Sequence, residues 1–258
     1  MTSAEFVRME VTDHIATVTI DRPPVNAMNR QLYREIADAF RSFEDNRDVH
    51  VAILASASER AFLAGADLRE RFEGATREVV LDAGKAARDC FWAIYDCAVP
   101  VIAAVNGPAL GAGLAVVACC DVIIASERAV FGLPEITVGL LGGGSHLLRM
   151  VGPYRMRQAF YTGERMPAEE LYRLGAVAKV VPHEALLDEA RALAAEIAAK
   201  SPIAVRLAKE ALNRVEHLPL KEAYRTEQDY TARLRTFEDS AEAARAFLEK
   251  RPPRFQWR

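Results

Sequence analysis

The sequence predicts an α/β protein with a mixed core over residues 1–200 and a helical C-terminal segment over residues 201–258. Short β-branched runs alternate with amphipathic stretches in the first part, and only helical periodicity continues in the second. The sequence contains no internal repeat or low-complexity tract that would divide it further. A chain of 258 residues buries one sizeable core with room for a small appendage.

Strands are predicted where apolar or alternating residues form short runs between turns. These runs are "HIATVTID" (14–21), "VHVAILAS" (49–56), the β-branched run 99–105, "DVIIAS" (121–126) and the start of "AVFGLPEITVG" (129–139). Helical spacing of apolar residues predicts helices over 30–46, 78–97, 182–200, 201–217, 220–235 and 236–251. Pro134 and Glu135 are placed like the first turn of a further helix, and another turn begins at 142–145.

Charge and cysteine content narrow the class of partner. A net charge of −3 provides no general basic field for nucleic acid or anionic lipid. Cations and acids alternate where a basic face would be needed, as in Arg69, Glu70, Arg71, Glu73, Arg77 and Glu78. The four cysteines do not have the paired spacing of a zinc site. The N-terminus contains acidic residues where a signal peptide would have a basic start and an apolar run. We therefore expect a cytoplasmic protein with reduced core cysteines, no metal, no nucleic-acid or membrane partner, and a small-molecule substrate.

The stretch "NGPALGAGLAVVACCD" (106–121) carries no charge before its last residue. The uncharged run 97–120 is long enough for a membrane span, but Pro100, Asn106, Gly107 and Pro108 interrupt it. Its glycines do not form a dinucleotide fingerprint, and it has no phosphate-loop lysine. A strand, a turn and a buried helix remain, and the helix N-terminus either holds an anion or forms a glycine-rich packing turn.

Several motifs in one order extend this interpretation over nearly the whole chain. "AFLAGADL", "PVIAAVNGPALGAGL", "CDVIIAS", "FGLPEITVGLLGGG" and "AFLEKRPPRF" together resemble the enoyl-CoA hydratase/isomerase (crotonase) superfamily. The resemblance implies a crotonase-like spiral of β-β-α repeats with a C-terminal helical trimerisation segment. It also implies a homotrimer or a hexamer built as a dimer of trimers, an acyl-CoA or enoyl-CoA substrate, and no cofactor beyond the coenzyme A of that substrate.

The resemblance also assigns the chemistry to particular positions. The backbone amides of Ala66 and Ala112 correspond to an oxyanion hole for the thioester oxygen, which would stabilise an enolate. Glu135 corresponds to one of two catalytic glutamates, and Ala115 stands where the other is usual. A single base suffices to move a double bond, whereas adding water calls for two groups. His146 and Asp67 are the two positions from which a second acid could come.

The remaining implied residues contact the substrate. Arg69 is expected near the coenzyme phosphates, and Phe247 and Lys250 are expected to reach the adenine end from a neighbouring subunit. The other predicted substrate-binding residues are Ala64, Gly65, Asp67, Leu68, Pro108, Leu110, Gly113, Pro134 and Gly143.

The retention of one glutamate favours isomerisation or an atypical hydration through an enolate. Thioester or carbon–carbon hydrolysis and decarboxylation remain open as alternatives on the same scaffold. A non-catalytic CoA-ester-binding or RNA-binding role is the third possibility.

Overall fold

The computed structural model describes residues 4–72 and 76–258, so Glu73 of the alternating charges lies outside the described residues. The strands are β1 (Val7–Thr12), β2 (Ile15–Ile20), β3 (Val51–Ser56), β4 (Val101–Val105), β5 (Ala109–Leu110), β6 (Val122–Ser126), β7 (Val130–Gly132), β8 (Arg165–Pro167) and β9 (Lys179–Val181). The α-helices are α1 (Arg30–Arg41), α2 (Leu68–Phe72), α3 (Arg77–Tyr95), α4 (Ala112–Ala118), α5 (Gly144–Val151), α6 (Pro153–Thr162), α7 (Ala168–Arg173), α8 (Leu186–Ala198), α9 (Pro202–Val215), α10 (Leu220–Leu234) and α11 (Glu238–Leu248). Two 3-10 helices cover Pro134–Val138 and His183–Ala185.

The strands form two sheets. The larger has the order β1-β2-β3-β4-β6-β9, and β1 pairs antiparallel with β2 while the other neighbours pair in parallel. The smaller has the order β5-β7-β8. The chain moves from β4 to β5 and α4, and then from β6 to β7 and a 3-10 helix, so successive β-β-helix units cross between the sheets. The α/β class predicted from the sequence is confirmed.

The central strands are buried on both faces, as parallel strands covered by helices must be. Ala52 and Leu54 of β3 face the larger core cluster, which includes residues of α1, α3 and α4. Val51 and Ile53 alternate with them and face a second cluster built by α8. The continuous apolar character of "VAIL" therefore reflects burial on two sides, and it fixes the sheet between the two helical layers.

Four strands were not predicted, and one of them, β5, has only two residues. Strand β1 is exposed at all positions after Val7, so it lacks the alternation that marks a half-buried strand. Strands β8 and β9 have three residues each, too few for a period to register. Their pairing with β7 and β6 depends on contacts that are distant in sequence.

The long uncharged run 97–120 contains β4, β5 and α4. No helix within the described ranges is long and apolar enough to cross a membrane. Cys90, Cys97, Cys119 and Cys120 are free and buried, as expected for core residues. The cytoplasmic location stays a prediction.

Helix α9, the first element of the predicted C-terminal segment, packs on the core. Lys209 is buried, and its Nζ lies 2.7 Å from Asp121 Oδ2. The same ammonium donates to the carbonyl oxygens of Ile94 at 3.2 Å and Val99 at 3.1 Å, so the buried charge is satisfied. The division of the chain at residue 200 stays a prediction.

Candidate functional site

A cavity of about 240 Å³ lies where the glycine-rich turn before α4 meets the segment after β3 and the 3-10 helix after β7. Its lining residues are Tyr33, Ala64, Gly65, Ala66, Leu68, Ala87, Phe91, Gly111, Ala112, Ala115, Pro134, Glu135, Thr137, Val138, Leu140, Leu141, Gly142 and Gly143. A larger groove of about 650 Å³ runs between β1, β2 and α8, but its lining contains none of the predicted site residues.

Two backbone segments meet at the floor of this cavity. The Leu110 amide donates to the Leu63 carbonyl oxygen at 3.0 Å, and the Leu63 amide donates to the Pro108 carbonyl oxygen at 3.2 Å. A Cβ on Gly65 would lie 3.0 Å from the Leu110 oxygen, and Gly65 has a φ of +103°. A Cβ on Gly113 would lie 2.6 Å from the Leu63 Cβ. Both glycines are therefore required by close approach of the two segments.

The amides of Ala66 and Ala112 lie one on each of these segments, and both residues line the cavity. Neither amide donates a hydrogen bond to a protein group within 4–72 and 76–258. By contrast, the neighbouring Asp67 amide donates to the Met28 carbonyl oxygen, and the Gly111 amide donates to the Gly132 carbonyl oxygen. An open amide is ordinary in the first turn of a helix such as α4, but Ala66 is not in a helix. The arrangement presents two donors to one cavity.

Glu135 faces the same turn from the 3-10 helix Pro134–Val138. Its Oε1 lies 2.6 Å from the point where a Cβ on Gly111 would sit, so the carboxylate rests directly against the turn that precedes Ala112. Gly111 has a φ of +55°, and only a residue without a side chain fits there. The backbone oxygen of Glu135 accepts from the Leu140 amide at 2.9 Å, which holds the short helix closed.

Most of the cavity lining is apolar. Glu135 is the one acidic side chain among the described lining residues. Ala115 lies in α4, is 1% exposed and also lines the cavity. The family resemblance implies that relatives carry a second glutamate at position 115. In this chain the position presents the methyl group of Ala115 to the cavity.

Asp67 is engaged by the N-terminal loop. Its Oδ2 lies 2.9 Å from Arg22 Nη2, and its Oδ1 accepts from the Arg69 amide at 3.1 Å. The Arg22 amide in turn donates to the side chain of buried Asn26, which donates to the Phe62 carbonyl oxygen. These contacts order the segment that carries Ala66. Arg22 and Asn26 were not predicted as site residues, because polar residues on either side of a Pro-Pro pair are typical of any turn.

His146 does not line the cavity. Its ring lies 5.1 Å from that of Phe91, and Phe91 does line the cavity. Burial, reinforced by the positive charge of Arg149, lowers the pKa of His146. The imidazole is therefore neutral near pH 7.

Tyr33 of α1 also lines the cavity and was not identified from the sequence. It lies beside Leu32 on the buried face of its helix, where an aromatic residue is typical of a core. A second cavity of about 80 Å³ adjoins the first, and both are lined by Tyr33, Ala66 and Ala87.

The structure brings together most of the predicted site residues. Those lining the cavity are Ala64, Gly65, Ala66, Leu68, Ala112, Pro134, Glu135 and Gly143. Pro108, Leu110 and Gly113 contribute to the backbone contact beneath it, and Asp67 lines the smaller cavity.

Three predicted residues are not brought to the cavity of this chain. Arg69 is exposed, Phe247 is 80% exposed at the end of α11, and Lys250 follows it with a φ of +54°. None of them lines the cavity, so their assigned roles stay predictions. Within the described part of the chain, no group of three or more His, Cys, Asp or Glu side chains is arranged to hold a metal ion.

Comparison with known proteins identifies similar chains. The family model for enoyl-CoA hydratase/isomerase matches residues 10–258. The chain is 44% identical over 242 residues to a (7aS)-7a-methyl-1,5-dioxo-2,3,5,6,7,7a-hexahydro-1H-indene-carboxyl-CoA hydrolase of Rhodococcus jostii, covering 94% of this chain and 93% of that protein. It is 38% identical to a probable enoyl-CoA hydratase of Mycobacterium bovis, covering 98% and 99%.

Solved structures agree with this similarity. A crystal structure of an enoyl-CoA hydratase from Bacillus anthracis superposes with a TM-score of 0.94 at 34% identity, covering 98% of this chain and 100% of that chain. The fold, the family model and the curated relatives all extend over nearly the full chain. This chain therefore belongs to the enoyl-CoA hydratase/isomerase family of the crotonase superfamily, and it is an acyl-CoA-processing enzyme of that family.

Proposed function

We propose that this enzyme hydrolyses a carbon–carbon bond in a ring-bearing acyl-CoA thioester that carries a ketone β to the thioester carbonyl. The observation that carries the proposal is a cavity with two open backbone amides and one carboxylate, in which Ala115 occupies the position expected for a second carboxylate. This set of groups stabilises an enolate and moves one proton at a time.

The amides of Ala66 and Ala112 bind the thioester oxygen. Negative charge that develops on that oxygen is stabilised by donors that are already in position, and losing one such donor costs about 2.7–4 kcal/mol in other enzymes. The contact between Gly113 and Leu63 supports this role because it sets the spacing of the two segments.

Glu135 acts as the general base and then as the general acid. Its carboxylate rests against Gly111 and therefore next to the thioester site. It takes a proton from water as the water oxygen bonds to the ketone carbon. The bond from that carbon to the thioester α-carbon then breaks, and its electron pair is delocalised onto the thioester oxygen.

Protonation of the enolate completes the reaction. Glu135 returns its proton to the α-carbon, and the former ketone becomes a carboxylic acid at the end of the opened ring. One water molecule has been added, and the thioester to coenzyme A is intact. A single carboxylate serves both proton transfers because they occur in sequence.

A ring-bearing acyl group is supported by the hydrolase relative from Rhodococcus jostii, whose name specifies a bicyclic dioxo carboxyl-CoA substrate. The short side chains of Ala64, Ala87 and Ala115 support it as well, because they leave width beside the amides. Compared with a glutamate, the alanine at position 115 removes a second acid from the cavity and leaves space for a bulky acyl group.

Double-bond isomerisation is the second candidate. It is supported by the family model, whose description includes isomerases, and by the need for only one base. In this reaction Glu135 removes a proton at one carbon of an enoyl-CoA and returns it at another. The same two amides stabilise the dienolate.

For the coenzyme, we propose that Arg69 binds its phosphates, and that Phe247 and Lys250 bind its adenine end from a neighbouring subunit. Large apolar side chains on the C-terminal helices support an oligomer, since Leu220 is 84% exposed and Leu248 is 79% exposed in the single chain. We propose that segment 201–258 holds a trimer, alone or paired as a hexamer.

The experiment is a panel of thioesters analysed by mass and by free thiol. Parent enzyme is incubated with 2-oxocyclohexanecarboxyl-CoA, a linear 3-oxoacyl-CoA, a 2-enoyl-CoA and a 3-enoyl-CoA in water labelled with heavy oxygen. We expect the cyclic ketone to gain one labelled water, with label in the new carboxylate and no release of coenzyme A thiol. Release of free thiol would assign thioester hydrolysis, and conversion of the enoyl esters alone would assign the second candidate.

A further inference from the structure

We infer that the Tyr33 hydroxyl is a catalytic residue that donates a hydrogen bond to the ketone oxygen of the keto acyl-CoA. This inference rests on the proposed carbon–carbon hydrolysis and identifies the group that handles its second carbonyl. When water adds to the ketone, the ketone oxygen becomes an alkoxide, and this second developing charge needs a donor of its own.

The position of Tyr33 supports this role. Its side chain is 5% exposed, and it lines both the 240 Å³ cavity and the adjoining 80 Å³ cavity. Ala66, which supplies one of the open amides, lines the same two cavities. Tyr33 therefore belongs to the wall that contains the thioester site.

The geometry of the substrate requires a donor at such a place. In a 1,3-dicarbonyl compound only the α-carbon separates the two carbonyl carbons, and the bond to be broken must stand out of the thioester plane so that its electron pair can be delocalised onto the thioester oxygen. With the thioester oxygen at Ala66 and Ala112, the ketone therefore leaves the thioester plane, and in this inference its oxygen meets the neighbouring wall that Tyr33 lines. A phenol carries an O–H group that can donate a hydrogen bond to an oxygen there.

Two other side chains of the cavity lining carry polar groups, Glu135 and Thr137. Glu135 moves the protons in the proposed reaction. The Thr137 hydroxyl donates to the Pro134 carbonyl oxygen at 2.6 Å, within its own 3-10 helix. Among the described lining residues, Tyr33 is the further side chain that carries a hydroxyl.

The Tyr33 ring is held firmly enough to position a hydroxyl. It packs edge-on against Phe91 of α3, with ring centroids 6.2 Å apart. Helix α1 is capped by Asn29, whose side chain accepts from the Leu32 amide at 2.9 Å. A fixed aromatic ring limits the motion of its hydroxyl, as an effective oxyanion donor requires.

The test compares Tyr33→Phe with the parent on the cyclic ketone and on a saturated acyl-CoA in heavy water. We expect kcat for carbon–carbon hydrolysis to fall by about 100-fold or more, with KM within about threefold. Exchange of the α-hydrogens of the saturated ester, which involves no ketone, is expected to keep its rate. The matched control is Tyr95→Phe, which removes a hydroxyl that donates to Glu216 Oε2 at 2.9 Å outside the cavity.

The outcomes separate this inference from the proposed function. A parent that does not hydrolyse the cyclic ketone overturns the proposed function and the inference with it. A parent that does, together with a Tyr33→Phe variant of unchanged kcat, overturns the inference alone. Loss of hydrolysis and of α-hydrogen exchange together would assign Tyr33 to packing of the site and would also overturn the inference. Circular dichroism of each variant identifies a loss of folding.

Discussion

Replacing Gly113 with alanine tests whether the contact between α4 and the segment after β3 sets the spacing of the two amides. A Cβ at this position would lie 2.6 Å from the Leu63 Cβ and 3.0 Å from the Leu63 carbonyl carbon. Ordinary carbon contacts lie at about 3.5–4.0 Å, so the two segments must separate by about 1 Å. Because Ala112 directly precedes Gly113, its amide moves relative to that of Ala66.

Two magnitudes follow from that displacement. Overpacking of this kind lowers the free energy of unfolding by about 1–3 kcal/mol. A misplacement of about 1 Å in a catalytic group lowers the rate by about 100-fold. We therefore expect Gly113→Ala to lower the rate of α-hydrogen exchange by about 100-fold. Its urea midpoint is expected to fall only by the amount that corresponds to a loss of about 1–3 kcal/mol in the free energy of unfolding. Exchange into heavy water is the assay because it reports enolate formation whatever the later steps are.

The control is Gly84→Ala in α3. A Cβ there would meet Arg88 Nη1 at an ordinary 3.6 Å. This variant is expected to keep its exchange rate and to gain about 0.5–1 kcal/mol, since glycine is unfavourable inside a helix. An exchange rate for Gly113→Ala within threefold of that for Gly84→Ala would refute the argument that this contact positions the amides.

Other predictions address the base, the missing carboxylate, the assembly and the pH dependence. Glu135→Gln is expected to abolish turnover while acyl-CoA binding by calorimetry stays within about tenfold, because shape is kept and proton transfer is lost; a variant with most of its rate would remove Glu135 from the mechanism. Ala115→Glu is expected to lower turnover of the native substrate, because a carboxylate would fill cavity space without its supporting residues; a large gain in hydration of a 2-enoyl-CoA would contradict the single-base mechanism. Sedimentation at micromolar protein is expected to give three or six chains, and a monomer that still binds CoA esters would contradict the roles of Phe247 and Lys250. Burial lowers the pKa of His50 below its ordinary 6.5. As pH falls below about 6.5, this imidazole therefore binds a proton more readily in the unfolded chain than in the folded chain, and stability is lost. Urea unfolding from pH 7 to pH 5 is therefore expected to have a shallower pH slope in His50→Asn than in the parent.

The sequence determined the elements whose information is local. The run 51–56 is apolar at nearly every position because both of its faces are covered, and this pattern is visible without knowledge of what covers it. The predicted C-terminal helices correspond to α8, α9, α10 and α11 within a few residues, because apolar spacing and N-terminal Pro or Ser are also local. Several ordered motifs were enough to place the chain in its family.

Tertiary structure decided what depends on contacts between distant segments. Strands β8 and β9 exist because β7 and β6 offer them edges to pair with, and three residues carry no period of their own. The ordering of the Ala66 segment by Arg22 and Asn26 joins positions about 40 residues apart, and no local pattern distinguishes these residues from turn residues.

The candidate site divides in the same way. Glu135, Ala66 and Ala112 could be named from motifs, but their meeting at one cavity depends on the packing of Gly113 on Leu63 and of Glu135 on Gly111. Tyr33 has the sequence pattern of a core aromatic on an amphipathic helix, and only the fold places it on the wall beside Ala66. The contact between the His146 and Phe91 rings likewise depends on the tertiary structure and could not be predicted from the sequence. Sequence periodicity reports which face of an element is buried, whereas the identity of the opposing surface is set by the path of the chain between the sheets.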